Sequence, residues 1–263
     1  MADSASRRPF GFNPFEKALF TPGPLGCNDA ASPDSFFWIR KDTPGPLGSN
    51  DHADPEVAAK RKEEIPEPVG PLPKLMNISQ AGLDFIWNEE YVGGISEKLH
   101  WPGGASGVTL GAGYDMKART ANEVSSDLLS IGIDYESIGK ASLGAGLVGQ
   151  DAKDFVHNNK QLLSITDAQA TKLLNLIIPG YASRVQKSVK VCVLQHQFDA
   201  LVSFAYNPGG RFGKVANLIN KNDVNHAMFQ VKAANTSGGK VLPGLVTRRE
   251  HEVNLYLNGT YES

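Results

Sequence analysis

The chain has 263 residues, with 26 lysines and arginines against 28 aspartates and glutamates, so its formal net charge is −2. Apolar residues make up 41% of the sequence and charged residues 21%, which is ordinary for a globular protein. This balance provides no basic surface for nucleic acid, and the apolar runs are too short for a membrane-spanning helix.

Proline divides the chain near residue 77. Twelve of the 16 prolines precede Met76, and proline disfavours the interiors of helices and sheets. Within this region the sequence TPGPLGCNDA, which starts at Thr21, recurs as TPGPLGSNDH from Thr43. We therefore predict that residues 1–77 are a loosely ordered segment serving as a linker or as a targeting or docking element, and that residues 78–263 are a folded domain.

The extreme N-terminus carries Arg7 and Arg8 but no apolar core after them. A secretory signal peptide needs such a core. We therefore expect synthesis in the cytoplasm, and any action outside it would require a different export route.

Helical periodicity begins after residue 77. Leu83, Ile86, Trp87 and Tyr91 recur at the spacing of one helix face, and Asn77 or Ser79 would cap this opening helix. The glycine-rich stretch 103–113 predicts a small hairpin or an irregular sheet.

Later segments predict more helices and therefore an α+β, mostly α protein. Two capping boxes, at Thr120 and Thr166, open helices, and the second helix should kink or stop at Pro179. An apolar stripe over 194–205 and a last amphipathic helix that ends at Gly259 follow. A cleft between the β element and the helical part would suit a binding site.

Cofactor and metal motifs are lacking in the sequence. Residues 144–149 satisfy GxGxxG, but no apolar strand precedes them, so a dinucleotide site is not expected. The six histidines are scattered and there is no HExxH. We predict neither a cofactor nor a metal.

A set of carboxylates remains as the candidate chemistry. Glu89 and Glu90 end the opening helix, Glu97 follows a glycine turn, and Asp115 closes the glycine-rich stretch. Hydrolysis of a glycoside needs one protonated carboxylic acid and a second carboxylate. Glu90 lies one turn from Ile86, where loss of hydration would favour its neutral form, whereas Glu97 lies in a wetter loop. By spacing alone, a solvated face is the alternative for such paired glutamates.

Several motifs in a fixed order resemble the lysozyme-like muramidases of phages, and most of all their pesticin-type branch. The similarity covers about residues 78–258. Its parts are ISQAGLDFIWNEE at 78–90, GVTLGAGYD at 107–115, FDALVSFAYN at 198–207 and PGLVTRRE at 243–250. WPGGASG at 101–107 is similar to a branch found in secreted antibacterial effectors.

The resemblance implies a role for each matching residue. Glu90 would be the general acid, with the adjacent Glu89 as its rival. Thr109 would position the attacking water, Asp115 would be a second acidic site residue, and Glu97 would match the second carboxylate of the phage enzymes.

The resemblance thus implies a peptidoglycan hydrolase that cleaves the β-1,4 bond between N-acetylmuramic acid and N-acetylglucosamine. It would act in the periplasm or cell wall of a target bacterium, as a bacteriolytic enzyme and a candidate type VI-like secreted effector. A carrier would recognise the N-terminal segment, and an immunity protein would neutralise the enzyme. A non-catalytic peptidoglycan-binding module and a lytic transglycosylase are the alternatives.

Overall fold

Nine α-helices and two short antiparallel hairpins make up the regular structure of residues 70–262, which are the residues that the computed structural model describes. The duplicated proline motif lies outside them. The elements in chain order are α1 (Gln80–Glu90), β1 (Thr109–Leu110), β2 (Tyr114–Asp115), α2 (Ala121–Ser130), α3 (Tyr135–Ala141), α4 (Gly149–Asn159), α5 (Asp167–Ser188), α6 (Gln195–Tyr206), α7 (Phe212–Asn220), α8 (Val224–Lys232), β3 (Thr236–Ser237), β4 (Lys240–Val241) and α9 (Pro243–Asn258).

The central helix of the larger packing group is α6. Eight consecutive residues, 198–205, are buried, because α1, α5 and α9 pack around this helix. A helix that is buried on all sides requires neighbouring elements around it. Helices α7 and α8 complete the group, and the predicted mostly helical α+β class is confirmed.

A smaller group forms around the hairpin β1–β2. Its turn is Gly111-Ala112-Gly113, and Thr109 pairs with Asp115 across the ladder. Helices α2 and α3 pack together beside a 3₁₀ turn at Ser142–Gly144. Helix α5 contacts both β2 and α6 and so connects the two groups.

Several predicted boundaries are confirmed, and of the kink or stop predicted at Pro179 the stop is wrong. Ser79 caps α1, and Gly259 ends α9 in the left-handed conformation with φ of 71°. Helix α5, however, does not stop at Pro179 but continues to Ser188. Pro179 and Asn175, whose carbonyl loses its helical donor, are both exposed, so water can satisfy that carbonyl.

Residues 70–77, which we predicted to belong to the N-terminal segment, pack against the helices. The Gln186 side chain donates to the Met76 carbonyl at 2.8 Å, and Pro73 and Met76 are buried. None of the helices in residues 70–262 has the length and apolarity needed to cross a bilayer.

A buried carboxylate fixes the start of α1. Asp199 on α6 is fully buried, and it accepts from the Ser79 N–H at 3.1 Å and from the Ser79 hydroxyl at 2.5 Å. Gln195 and Tyr261 also donate to it, at 2.9 and 2.7 Å. Asp199 thus holds the helix that carries Glu90 at its other end.

We expect Gly82→Ala to destabilise the protein, although alanine favours helices. An added Cβ would lie 2.6 Å from the Asp199 Cγ, and overpacking of this kind costs about 1–3 kcal/mol. Gly139→Ala in α3 is the matched control, because nothing lies within 4 Å of its added Cβ, and it should stabilise by about 0.5–1 kcal/mol. Urea unfolding measures both, and shifts of the same sign would contradict the prediction.

Candidate active site

Glu90 is the last residue of α1, and its side chain is 18% exposed. Phe85 and Ile86, in the preceding turn and a half, are buried in the core. The Glu90 carboxyl therefore lies at the edge of the apolar interior and not on a solvated helix face. This is the partly dehydrated environment that we predicted from the sequence for Glu90. The C-terminal end of a helix also disfavours a negative charge.

A buried arginine pairs with this carboxyl. Arg248 on α9 donates through Nη1 to the Glu90 Oε1, and its side chain is 5% exposed. Its Nε donates to the Glu252 Oε1 at 3.1 Å, and its Nη2 to the Ser203 carbonyl at 3.4 Å. Helices α1, α6 and α9 therefore converge on one hydrogen-bonded cluster, which consists of Arg248, Glu90, Glu252 and the Ser203 carbonyl.

Glu252 is shared by two arginines. Its Oε2 accepts from Arg249 Nη1, while the Ser203 hydroxyl donates to its Oε1 at 2.9 Å. Arg249 also donates to the carbonyls of Asn207 and Ala234, the latter at 3.1 Å. Buried charges persist only with such partners, so this network fixes the orientation of Arg248.

Opposing effects set the protonation of Glu90. Burial raises the pKa of the Glu90 carboxyl above its ordinary value, while the charge and hydrogen bond of Arg248 act to lower it. The net direction is upward. Because Arg248 engages Oε1, Oε2 is the oxygen left to carry a proton.

Glu89, the rival for the acid role, has a different partner. Its Oε1 lies 2.6 Å from Nδ1 of His251, and its side chain is 10% exposed. Two adjacent carboxylates of α1 thus pair with two residues of α9 that lie almost one helical turn apart. The Glu89 side chain is less exposed to solvent than the Glu90 side chain.

Thr109 and Asp115 lie opposite each other on the hairpin. Because they are paired residues of an antiparallel ladder, their side chains share one face. Thr109 is buried and its hydroxyl donates to the Gly107 carbonyl at 3.3 Å. Asp115 accepts from the Lys117 N–H at 2.8 Å, and its side chain is 28% exposed.

The charge of Glu90 acts on two tyrosines, Tyr181 and Tyr206. Burial and then the charge of Glu90 raise the pKa of Tyr181, and the charge of Asp115 acts on it in the same direction. Burial and then Glu90 also raise the pKa of Tyr206. The charges of Glu90 and Asp115 thus both act on Tyr181.

Glu97 has its contacts elsewhere. Its Oε1 accepts from the Gly94 N–H at 3.0 Å, its carbonyl accepts from the Ile165 N–H at 2.9 Å, and its charge acts on Tyr91. The charges that act on Glu90 are those of Arg248, Glu252 and Arg249. The structure does not join Glu97 to Glu90.

The arrangement can donate a proton and then stabilise the anion that remains. Glu90 offers a half-buried acid, and Arg248 is already in place to pair with the carboxylate after proton transfer. Our expectations from sequence did not include Arg248, Glu252 or the two tyrosines. A signal was present, because Arg248 lies on the same stripe of the last helix as apolar residues, and a buried arginine needs acidic partners.

Residues 132–252 match the family model described as phage lysozyme. The Bacillus phage PZA endolysin is 42% identical over 99 residues, which cover 36% of this chain and 38% of that protein. A SAR-endolysin of bacteriophage PS119 is 32% identical over 109 residues, 39% of this chain and 65% of that protein. The matched parts span less than two thirds of these relatives, and the family match begins after Glu90 and Asp115 in the sequence.

Solved structures are also similar. The endolysin of Escherichia coli O157:H7 phage FAHEc1 has a TM-score of 0.48 at 24% identity, covering 72% of this chain and 98% of that one. The muramidase domain of SpmX from Asticaccaulis excentricus has a TM-score of 0.46 at 23% identity, covering 69% and 98%. The family match and the endolysin relatives together support the lysozyme-like superfamily for this chain.

Proposed function

We propose that this protein is a muramidase, which hydrolyses the β-1,4 bond between N-acetylmuramic acid and N-acetylglucosamine in peptidoglycan. The observation that carries the proposal is the Glu90 carboxyl, which is half-buried, has a raised pKa and keeps one oxygen outside the bond to Arg248. Glu90 protonates the leaving oxygen. Asp115, with Thr109, stabilises the sugar cation or the attacking water.

A lytic transglycosylase is the second candidate. That reaction uses one catalytic acid, and Glu97, the expected second carboxylate, has its contacts elsewhere. Digestion of purified peptidoglycan followed by mass spectrometry separates the candidates. Reducing muramic-acid ends indicate hydrolysis, anhydro ends indicate transglycosylation, and absence of release indicates a binding module.

The pH dependence of the reaction provides a separate prediction. The acid must be protonated, and burial raises the pKa of Glu90 above its ordinary value of 4.5. We therefore expect activity to continue above pH 4.5 and to fall as the pH rises through the raised pKa. A pH–rate profile on soluble peptidoglycan fragments measures this. A decline centred at or below pH 4.5 would argue against Glu90 as the acid.

We also propose that the protein acts on the cell wall of a target bacterium as a bacteriolytic effector. In that case the N-terminal segment engages a secretion carrier, and the producing cell holds a neutralising inhibitor. Periplasmic expression without the inhibitor should lyse the host. Harmless periplasmic expression of a demonstrably active enzyme, together with no inhibitor in a pull-down from producer cells, would contradict the effector role.

A further inference from the structure

Tyr206 joins the two packing groups. It is the last residue of α6, and its hydroxyl donates to the carbonyl of Ala112 in the turn of the hairpin β1–β2. Burial raises the pKa of Tyr206 well above its ordinary value, so the hydroxyl keeps its proton and remains a donor. The bond thus connects the helix beside Glu90 directly to the hairpin that carries Asp115.

The hairpin turn has a glycine where the Tyr206 hydroxyl approaches its backbone. Gly113 has a φ of +101°, which side chains rarely adopt. A Cβ there would collide with the Tyr206 hydroxyl and would lie 3.1 Å from its Cζ atom. The glycine is therefore required by the close approach of Tyr206 as well as by the backbone conformation.

Tyr181 holds the ring of Tyr206 from the side of α5. The two ring centroids lie 4.5 Å apart at an interplanar angle of 39°. Such an aromatic pair limits the rotation of Tyr206. Three elements, α5, α6 and the hairpin turn, thus meet at the Tyr206 side chain.

We propose that Tyr206 is a positioning residue, whose hydroxyl holds the hairpin that carries Thr109 and Asp115 at a fixed position relative to Glu90. This inference rests on the proposed function. Tyr206 acts through the Ala112 carbonyl on the spacing between the acid and the hairpin. A looser hairpin would still bind glycan but would present Asp115 in a productive position less often.

The first test is Tyr206→Phe, which keeps the ring and removes the hydroxyl. A typical hydrogen bond contributes about 0.5–1.5 kcal/mol, so we expect kcat on soluble peptidoglycan fragments to fall about 2- to 13-fold. KM should stay within about twofold of the wild type, because the ring remains in place. Unchanged kcat would overturn the proposal.

Tyr261→Phe is the matched control. It removes a tyrosine hydroxyl that donates to Asp199 at 2.7 Å, away from the hairpin. Ser79 and Gln195 still donate to Asp199 in this variant, so the start of α1 stays anchored. Its kcat should match the wild type even if its unfolding temperature falls. An equal loss of kcat in both variants would mean that general loosening explains the effect, and the proposal would fail.

A double-mutant cycle with Gly113→Ala tests the contact itself. The added Cβ collides with the hydroxyl of Tyr206 in the wild type but has more room in Tyr206→Phe. The alanine should therefore cost less unfolding free energy in the phenylalanine background than in the wild type. Equal costs of the alanine in the two backgrounds would mean that the two side chains do not interact, and the proposal would fail. Because the cycle is measured by unfolding, it still tests the contact between Tyr206 and the hairpin turn if the wild type proves inactive on peptidoglycan. Such inactivity would refute the proposed function but not the contact.

Discussion

Glu90→Gln is expected to abolish peptidoglycan release while leaving the protein folded. Glutamine preserves the shape of the side chain and an oxygen that can accept from Arg248, and Arg248 keeps Glu252 as a partner. A positioned general acid typically contributes a factor of about 10²–10⁴. We expect a loss of that size in the release of soluble fragments from purified cell walls, with an unchanged circular dichroism spectrum.

Glu89→Gln is the matched control, because it makes the same change one residue earlier. Glu89 is bound to His251, and its loss should affect the attachment of α1 to α9 more than the chemistry. Activity of this variant should therefore remain far above that of Glu90→Gln. If Glu89→Gln were the inactive variant and Glu90→Gln still cleared cell walls, the acid would be Glu89.

Glu90 also makes the stability of the wild-type protein depend on pH in a defined direction. Burial raises the pKa of Glu90 in the folded state above 4.5. Its contribution to stability is therefore complete below pH 4.5 and is lost as the pH rises through the raised pKa. Glutamine has no charge to bury, so the variant should lack this part of the pH dependence of unfolding.

The largest loss of stability is expected from Glu252→Gln. The Glu252 side chain is 1% exposed, and it is the shared acidic partner of Arg248 and Arg249. Removing one member of a buried ion pair costs about 3–5 kcal/mol, because the remaining charges stay buried without full compensation. For a domain of this size the unfolding temperature should fall by about 10 °C.

Glu250→Gln on the same helix is the control for Glu252→Gln. Glu250 is exposed, and substitutions at such sites usually change stability by less than about 0.5 kcal/mol. Thermal unfolding followed by calorimetry compares the two variants. Similar unfolding temperatures for both would show that the buried network contributes little to stability.

Local signals in the sequence were sufficient for much of the fold. The capping boxes at Thr120 and Thr166, the cap at Ser79 and the glycine at 259 each act over a few residues, and the structure has all four in the expected places. Pro179 misled because a proline can stay inside a helix when its turn faces water. That depends on which side of α5 is buried, which the neighbouring helices decide.

The site could be predicted in part only. The position of Glu90 at the end of a helix follows from local sequence, and so does a small β element in the glycine-rich stretch, whereas the pairing of Thr109 with Asp115 comes from the structure. The bond between Glu90 and Arg248 joins residues 158 positions apart, and the Tyr206 bond to Ala112 joins residues 94 apart. Contacts over such separations depend on how helices pack, and the periodicity of one segment cannot reveal them.

The anchoring of α1 at Asp199 has a practical consequence for handling the protein. Tyr261, close to the last described residue, binds Asp199, and the Pro71 carbonyl accepts from Val193 near the start of α6. Both ends of the described chain therefore lie at one pole, and the acid lies about 16 Å away along the 11-residue helix α1. Attachment to beads at residue 70 or residue 262 should therefore leave Glu90 accessible, and a short peptide could join these two residues in a circular permutant built from residues 70–262.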